Sequence, residues 1–232
     1  MSIFNSATAA CPACAKPRQF QLVASVNADR RPDLRKAILD GRFQQETCDG
    51  CGNVFKAPPL LTYLDIGRRQ WILVQPYEEQ ENWVFAGEIA SNGFAKAYGD
   101  QAPAAARAMG KGLRVRVVFG WAALREKLRC DDLKLDDVTL ELLKIAILRN
   151  VPDAPISDAA ELRLVAAEGD ELLFAWVRGA DERVLASLRV DRSQYDQVAA
   201  GGKAWKALRD DMQSHPFVDM NRMLLGPVAA AG

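Results

Sequence analysis

Histidine is nearly missing from this 232-residue chain: His215, just before Pro216, stands alone. A lone histidine outside any metal-spaced cluster reads as a structural or exposed residue, and it leaves little room for a nucleophile–histidine pair. A P-loop, a dinucleotide-binding fingerprint and a nucleophile elbow are also missing, so no motif points to phosphoryl transfer, nicotinamide chemistry or a serine hydrolase. No catalytic residue and no organic cofactor is predicted. No apolar run approaches membrane-spanning length, and there is no internal repeat. Residues 1–10 have neither a basic nor a strongly apolar signal segment, so a cytoplasmic location is expected. Net charge is missing too: 30 Lys and Arg balance 30 Asp and Glu, which removes bulk attraction to nucleic acid or anionic membrane as a default.

Cysteine is scarce but tightly placed. Four of the five form two pairs, Cys11-Pro12-Ala13-Cys14 and Cys48-Asp49-Gly50-Cys51-Gly52. Two residues between thiolates let one turn present both sulfurs to one ion at about 2.3 Å. Backbone N–H groups inside that turn can point at the sulfurs and offset their charge. Pro12 suits the turn because it fixes φ, and Gly52 supplies the permissive backbone on leaving it. Ala15 holds the equivalent place after the first pair and is expected to be slightly strained there.

Cys11, Cys14, Cys48 and Cys51 are therefore the predicted metal ligands. Four sulfurs close the shell, so the metal is expected to be structural, with Zn2+ as the ion and iron as the alternative that tetrahedral sulfur sites also accept. Disulfides would need an oxidising compartment. Thioredoxin-like chemistry would need a buried strand before Cys11 and a helix after Cys14. Residues 1–10 do not read as a buried strand, and Phe20–Val26 alternates like a strand instead of a helix. Cys130, apart from the pairs, reads as a small core or helix-end residue.

The run from Cys11 to Pro76 resembles the CpXC family of bacterial and archaeal proteins, on Cys11, Pro12 and Cys14, then Cys48, Cys51 and Gly52. The stretch Pro32–Gly41 between the pairs, and later Leu124–Leu128, Leu135–Asp137 and Glu141–Lys144, are similar to that family as well, so the likeness covers roughly residues 8–150. The resemblance implies a zinc-ribbon-like fold and brings no established biochemical activity.

The expected fold class is α+β: a zinc-ribbon-like four-cysteine site built into a mixed α/β domain, followed by a small α+β C-terminal segment. The expected organisation is a flexible N-terminus at 1–10, a metal-binding domain at 11–150, a linker at 151–157, a small domain at 158–226 and a disordered tail at 227–232. Strands are expected at 20–26, 43–47, 54–57, 60–66, 71–75 and 113–119, the last with Arg114 and Arg116 on an outer basic face. Pro32 opens a short helix that Gly41 ends. Further helices run from about Trp121 to Arg129 and, capped by Asp136, to Arg149. This last helix is apolar nearly all round, with Asp137, Glu141 and Lys144 as a narrow polar stripe. Three strands at 162–166, 172–177 and 184–188 and two helices split at Gly201-Gly202 complete the chain.

Charge is unevenly distributed. Residues 1–130 hold 18 basic against 12 acidic side chains, and residues 131–232 hold 12 against 18, as expected if the halves pack together or face different partners. The functional expectation is a non-enzymatic zinc-binding protein acting as a protein–protein interaction or scaffold module, with a protein partner or a homodimer contact through the 136–149 helix. Alternatives are a nucleic-acid-binding zinc ribbon, using Arg30, Arg31, Arg35, Lys36 and Arg42, and an enzyme whose site assembles only in three dimensions.

Overall fold

The computed structural model describes residues 2–151 and 160–225. The expected linker, beyond Val151, and the expected tail at 227–232 lie outside the described residues. In chain order the elements are β1 (Ile3–Ala10), β2 (Pro17–Asn27), α1 (Pro32–Leu39), β3 (Gln45–Thr47), β4 (Val54–Lys56), β5 (Leu61–Asp65), β6 (Gln70–Gln75), a 3-10 turn at Tyr77–Asn82, α2 (Trp83–Tyr98), α3 (Ala104–Gly110), β7 (Arg114–Phe119), α4 (Gly120–Asp132) and α5 (Asp137–Asn150). Then come β8 (Ala160–Glu168), β9 (Glu171–Arg178), β10 (Val184–Asp191), α6 (Arg192–Ala200), α7 (Gly202–Gln213) and the short α8 (Arg222–Leu225).

Five strands form the main sheet in the order β1-β2-β5-β6-β7, with β2–β5 and β6–β7 parallel and the other pairs antiparallel. Its middle strands are covered on both faces, as parallel pairing with helical crossovers requires. On one face Val26, Tyr63 and Ile72 pack against Ile38 of α1 and Leu124 and Leu128 of α4. On the other, Trp71, Leu73, Val117 and Phe119 pack against Ala86 and Ala90 of α2. Within the N-terminal segment expected to be flexible, residues 3–10 form β1, paired with β2 from Ser25 back to Pro17. The segment is too polar to read as a core strand, but its backbone is matched by a longer neighbour. Helices α2 and α3 carry no sequence expectation. Gly87 and Gly93 interrupt the apolar pattern of α2, and Gly87 is required because a Cβ there would lie 2.1 Å from the His215 ring.

A second sheet, β10-β9-β8, is antiparallel. Leu140, Leu142, Leu143 and Ile147 of α5 share one core with Leu162, Leu164, Phe174 and Trp176 of this sheet and Met212 of α7. A boundary at residue 150 therefore runs through a continuous core, with α5 on the C-terminal side of it.

The polar stripe of α5 is the largest correction. Asp137, Glu141 and Lys144 are buried, and the partly exposed positions near the helix end are Ile145, Ala146 and Leu148. The three polar side chains belong to an ionic network between α4, α5, β8 and the segment after α7. Lys144 Nζ lies 2.7 Å from Glu126 and 3.1 Å from Glu141, and Arg163 Nη1 reaches Glu126 at 3.0 Å and Asp219 at 2.6 Å. Lys127 pairs with Glu141 at 3.3 Å and Asp137 at 3.5 Å. Burial alone would neutralise Lys127, yet Asp137 and Glu141 push its pKa up. Burial wins at Glu161 and Glu141, whose pKa values are raised despite the nearby cations. Periodicity shows which residues share a stripe; only the facing helix and strand decide whether the stripe meets water or counter-charge. Arg114 and Arg116, expected on an open basic face, likewise pair with Asp131 at 2.9 Å and Asp137 at 2.7 Å.

Candidate metal centre

Two β-hairpins build the site. Strands β1 and β2 meet at Ala10↔Pro17, and the first cysteine pair lies in the turn between them. Strands β3 and β4 end at Thr47↔Val54, and their turn carries the second pair. The two turns use the same backbone bonds. Ala15 N–H donates to Cys11 O at 2.9 Å and Cys11 N–H to Lys16 O at 2.9 Å, while Gly52 N–H donates to Cys48 O at 2.7 Å and Cys48 N–H to Asn53 O at 2.8 Å. Each turn closes through a left-handed residue, Ala15 at φ 57° and Gly52 at φ 71°. The strain expected at Ala15 is present, since a Cβ is unfavourable in that region.

The four sulfurs converge. Cys11 and Cys51 are 3.8 Å apart, Cys14 and Cys48 are 3.8 Å apart, and all four lie within 4.8 Å of one another. Metal–sulfur bonds of about 2.3 Å in a regular tetrahedron place the sulfurs about 3.8 Å apart, so the donor set fits a tetrahedral ion. The same separation is far beyond the about 2.05 Å of a disulfide, and all five cysteines are free thiols. Burial raises the Cys48 thiol, but N–H groups of Gly50 and Cys51 outweigh it and bring its pKa down to about 6. The Asn53 N–H pulls Cys51 down, while burial and the neighbouring sulfurs push it up to about 12.

The model of the family described as "CpXC protein" matches residues 9–144, more than half of the chain. The chain belongs to the CpXC family. No curated protein and no solved structure matches it. The matched CpXC region spans both knuckles and ends inside α5.

Other singled-out residues lie elsewhere. Cys130 is buried in α4, donating to Leu135 O, and burial pushes its pKa far up, so it is an inert core thiol. His215 stacks edge-on against Trp83 at 4.7 Å and accepts the Phe217 N–H through Nδ1, a structural role. Of the basic residues between the cysteine pairs, Arg31 binds Asp33, Lys36 and Arg42 share Asp40, and Arg35 binds Asp132. No described helix is long and apolar enough to cross a membrane.

Proposed function

We propose that Cys11, Cys14, Cys48 and Cys51 hold one structural zinc ion, with iron as the alternative, and that this CpXC protein acts without catalysis as a scaffold for a protein partner. The observation that carries this reading is the closed donor set: four sulfurs on two matching knuckles leave no position for a reacting water. Ile3 and Phe4 at the start of β1 and Val54 beside the second knuckle are exposed apolar side chains available to a protein contact. Of the apolar side chains of α5, Leu140, Leu142, Leu143 and Ile147 are covered within the chain while Ile145 and Leu148 stay partly exposed, which favours another surface for the partner over a homodimer through this helix. Carboxylate pairing of Arg31, Arg35, Lys36 and Arg42 weakens the nucleic-acid reading. Four reduced thiols at this spacing suit the cytoplasm.

Elemental analysis of the intact chain tests the metal, with about one zinc per chain expected and none in Cys48→Ser. Capture of a cytoplasmic protein by the wild-type chain, lost in a variant with Ile3, Phe4 and Val54 changed to Ser that still holds zinc, is the expected scaffold result. A metal-free chain with two disulfides ends the zinc reading, and a metal-dependent turnover of any substrate ends the non-catalytic one.

A further inference from the structure

We propose that the cleft beside the β5–β6 turn binds a small phosphate-bearing anion. Three loops converge there: the β5–β6 turn brings Arg68 and Arg69, the entry to β7 brings Arg114, and the α4–α5 turn brings Lys134, with Asp131 from the end of α4. They line a cleft of about 440 Å³. Four cations line it against a single carboxylate. Two of the cations are held in place by acids: Arg114 lies 2.9 Å from Asp131, and Arg68 lies 3.2 Å from Asp65, with Asp132 at 3.5 Å and Asp131 at 3.7 Å. Arg69 and Lys134 have no side-chain ion pair or hydrogen bond among the described residues. Arg114 and Asp131 also line a cavity of about 20 Å³ together with Arg116, Lys127 and Asp137.

The backbone beneath the two unpaired cations is informative. Arg69 and Lys134 both lie at φ 57°, in the left-handed region. Glycine adopts that conformation with the least steric cost. Each turn instead carries a long cation whose charged end has no partner in the chain, and uncompensated like charge gathered in one concavity raises the local anion concentration. Guanidinium groups match phosphoryl oxygens with paired, charge-assisted hydrogen bonds. The lining holds no aromatic side chain, so it offers nothing to stack a nucleobase on. Asp131 lies in the lining and Asp132 sits beside Arg68 at its edge, and both oppose an extended polyanion, which leaves a compact di- or triphosphate group as the matching ligand.

This site is remote from the cysteines. Asp29, two residues past β2, accepts the Ile66 and Gly67 N–H groups at 2.7 and 3.1 Å, whereas Cys14 lies three residues before β2 begins. At about 3.3 Å per residue, the 11-residue strand between them is about 33 Å long.

Calorimetric titration of the intact, metal-loaded chain with inorganic tripolyphosphate and pyrophosphate tests the proposal, with sulfate at matched ionic strength as the control. Tripolyphosphate should bind more tightly than pyrophosphate, sulfate should give no saturable heat, and added salt should weaken both. Arg69→Gly and Lys134→Gly should each weaken binding about tenfold while melting no lower than the wild type, since glycine suits both turns. If either glycine variant melts lower, Arg69→Gln and Lys134→Gln carry the same comparison. Binding unchanged in the double variant, or no binding beyond the sulfate control, overturns the site. A single-stranded oligonucleotide binding more tightly than tripolyphosphate through the same two residues overturns the assignment to a small anion. Zinc content is measured on every variant, so failure at the metal centre registers separately from failure at the cleft.

Discussion

At single residues, side chains that look alike in sequence differ widely in consequence. Lys144 and Lys206 both pair with helix neighbours, but Lys144 is fully buried between Glu126 and Glu141, and Lys206 is exposed beside Asp210. Lys144→Met should cost about 3–5 kcal/mol because it leaves buried carboxylates uncompensated. Lys206→Ala should change stability by less than about 1 kcal/mol. Denaturant melts of both variants at pH 7 make the comparison, and equal losses would mean the network is open to water. Ala15 is a different case: its left-handed φ of 57° repeats that of Gly52 in the matching knuckle. Ala15→Gly should stabilise the first knuckle by about 1 kcal/mol and, with the proposed zinc bound, slow zinc loss to a competing chelator. Faster zinc loss would contradict the strain argument. The cysteines, the turn they make and the position that strains it were all legible in sequence, because a knuckle is a local structure. The burial of Lys144 was not, because Glu126 and Arg163 approach it from other elements.

Among the elements, the hairpins have little core of their own, and the helices depend on each other. The small sheet β3–β4 has three residues per strand and little apolar burial, since Val54 is exposed. A structural zinc contributes roughly 10–16 kcal/mol of apparent binding energy at neutral pH in small metal-dependent folds. Chelation should therefore melt the two knuckles while α5 and the second sheet keep their core. Amide exchange would show this as protection lost at 44–56 and kept at 140–147, and uniform loss would mean the ribbon and the cores unfold together. Helix α5 was recognisable from its Asp136 cap, which accepts the Thr139 N–H at 2.8 Å, and from its apolar content. Its partner was not, because an all-round apolar helix fits a neighbouring subunit as well as a second sheet of its own chain.

For the whole molecule, the division of charge between the halves becomes an internal contact. Lys127 and Arg116 from the basic half meet Asp137 and Glu141 from the acidic half, and Lys56 and Arg125 meet Glu182. The pH dependence of stability follows from such groups. Burial would raise Asp219, but Arg163 and Lys144 depress its pKa to about 2, so its contribution is full above about pH 4 and is lost as pH falls toward 2. His215 is also depressed, by burial and then by Arg222, so its contribution is present above its unfolded value near 6.5 and lost as pH falls below its folded value. The melting temperature should therefore drop first below pH 6.5 and again below pH 4, and His215→Gln should remove the first step alone. A single acid transition in both proteins would reject the assignment to His215. Glu161 acts in the opposite sense, because its raised pKa means that its proton is lost, with some stability, as pH rises.

By itself the sequence determined the four clustered cysteines, the family, most strands and the Asp136 cap, because each depends on residues close together along the chain. Spacing within a turn places two sulfurs, alternation makes a strand, and an aspartate caps the helix it precedes. Tertiary structure alone decided that β1 would pair with β2, that α5 would join the second sheet, and that the stripe Asp137, Glu141 and Lys144 would face inward. These outcomes depend on which surfaces meet. A buried ion pair and an exposed one have the same sequence pattern, and they differ only in whether Glu126, Lys127, Arg163 and Asp219 arrive from elsewhere in the chain to exclude the water.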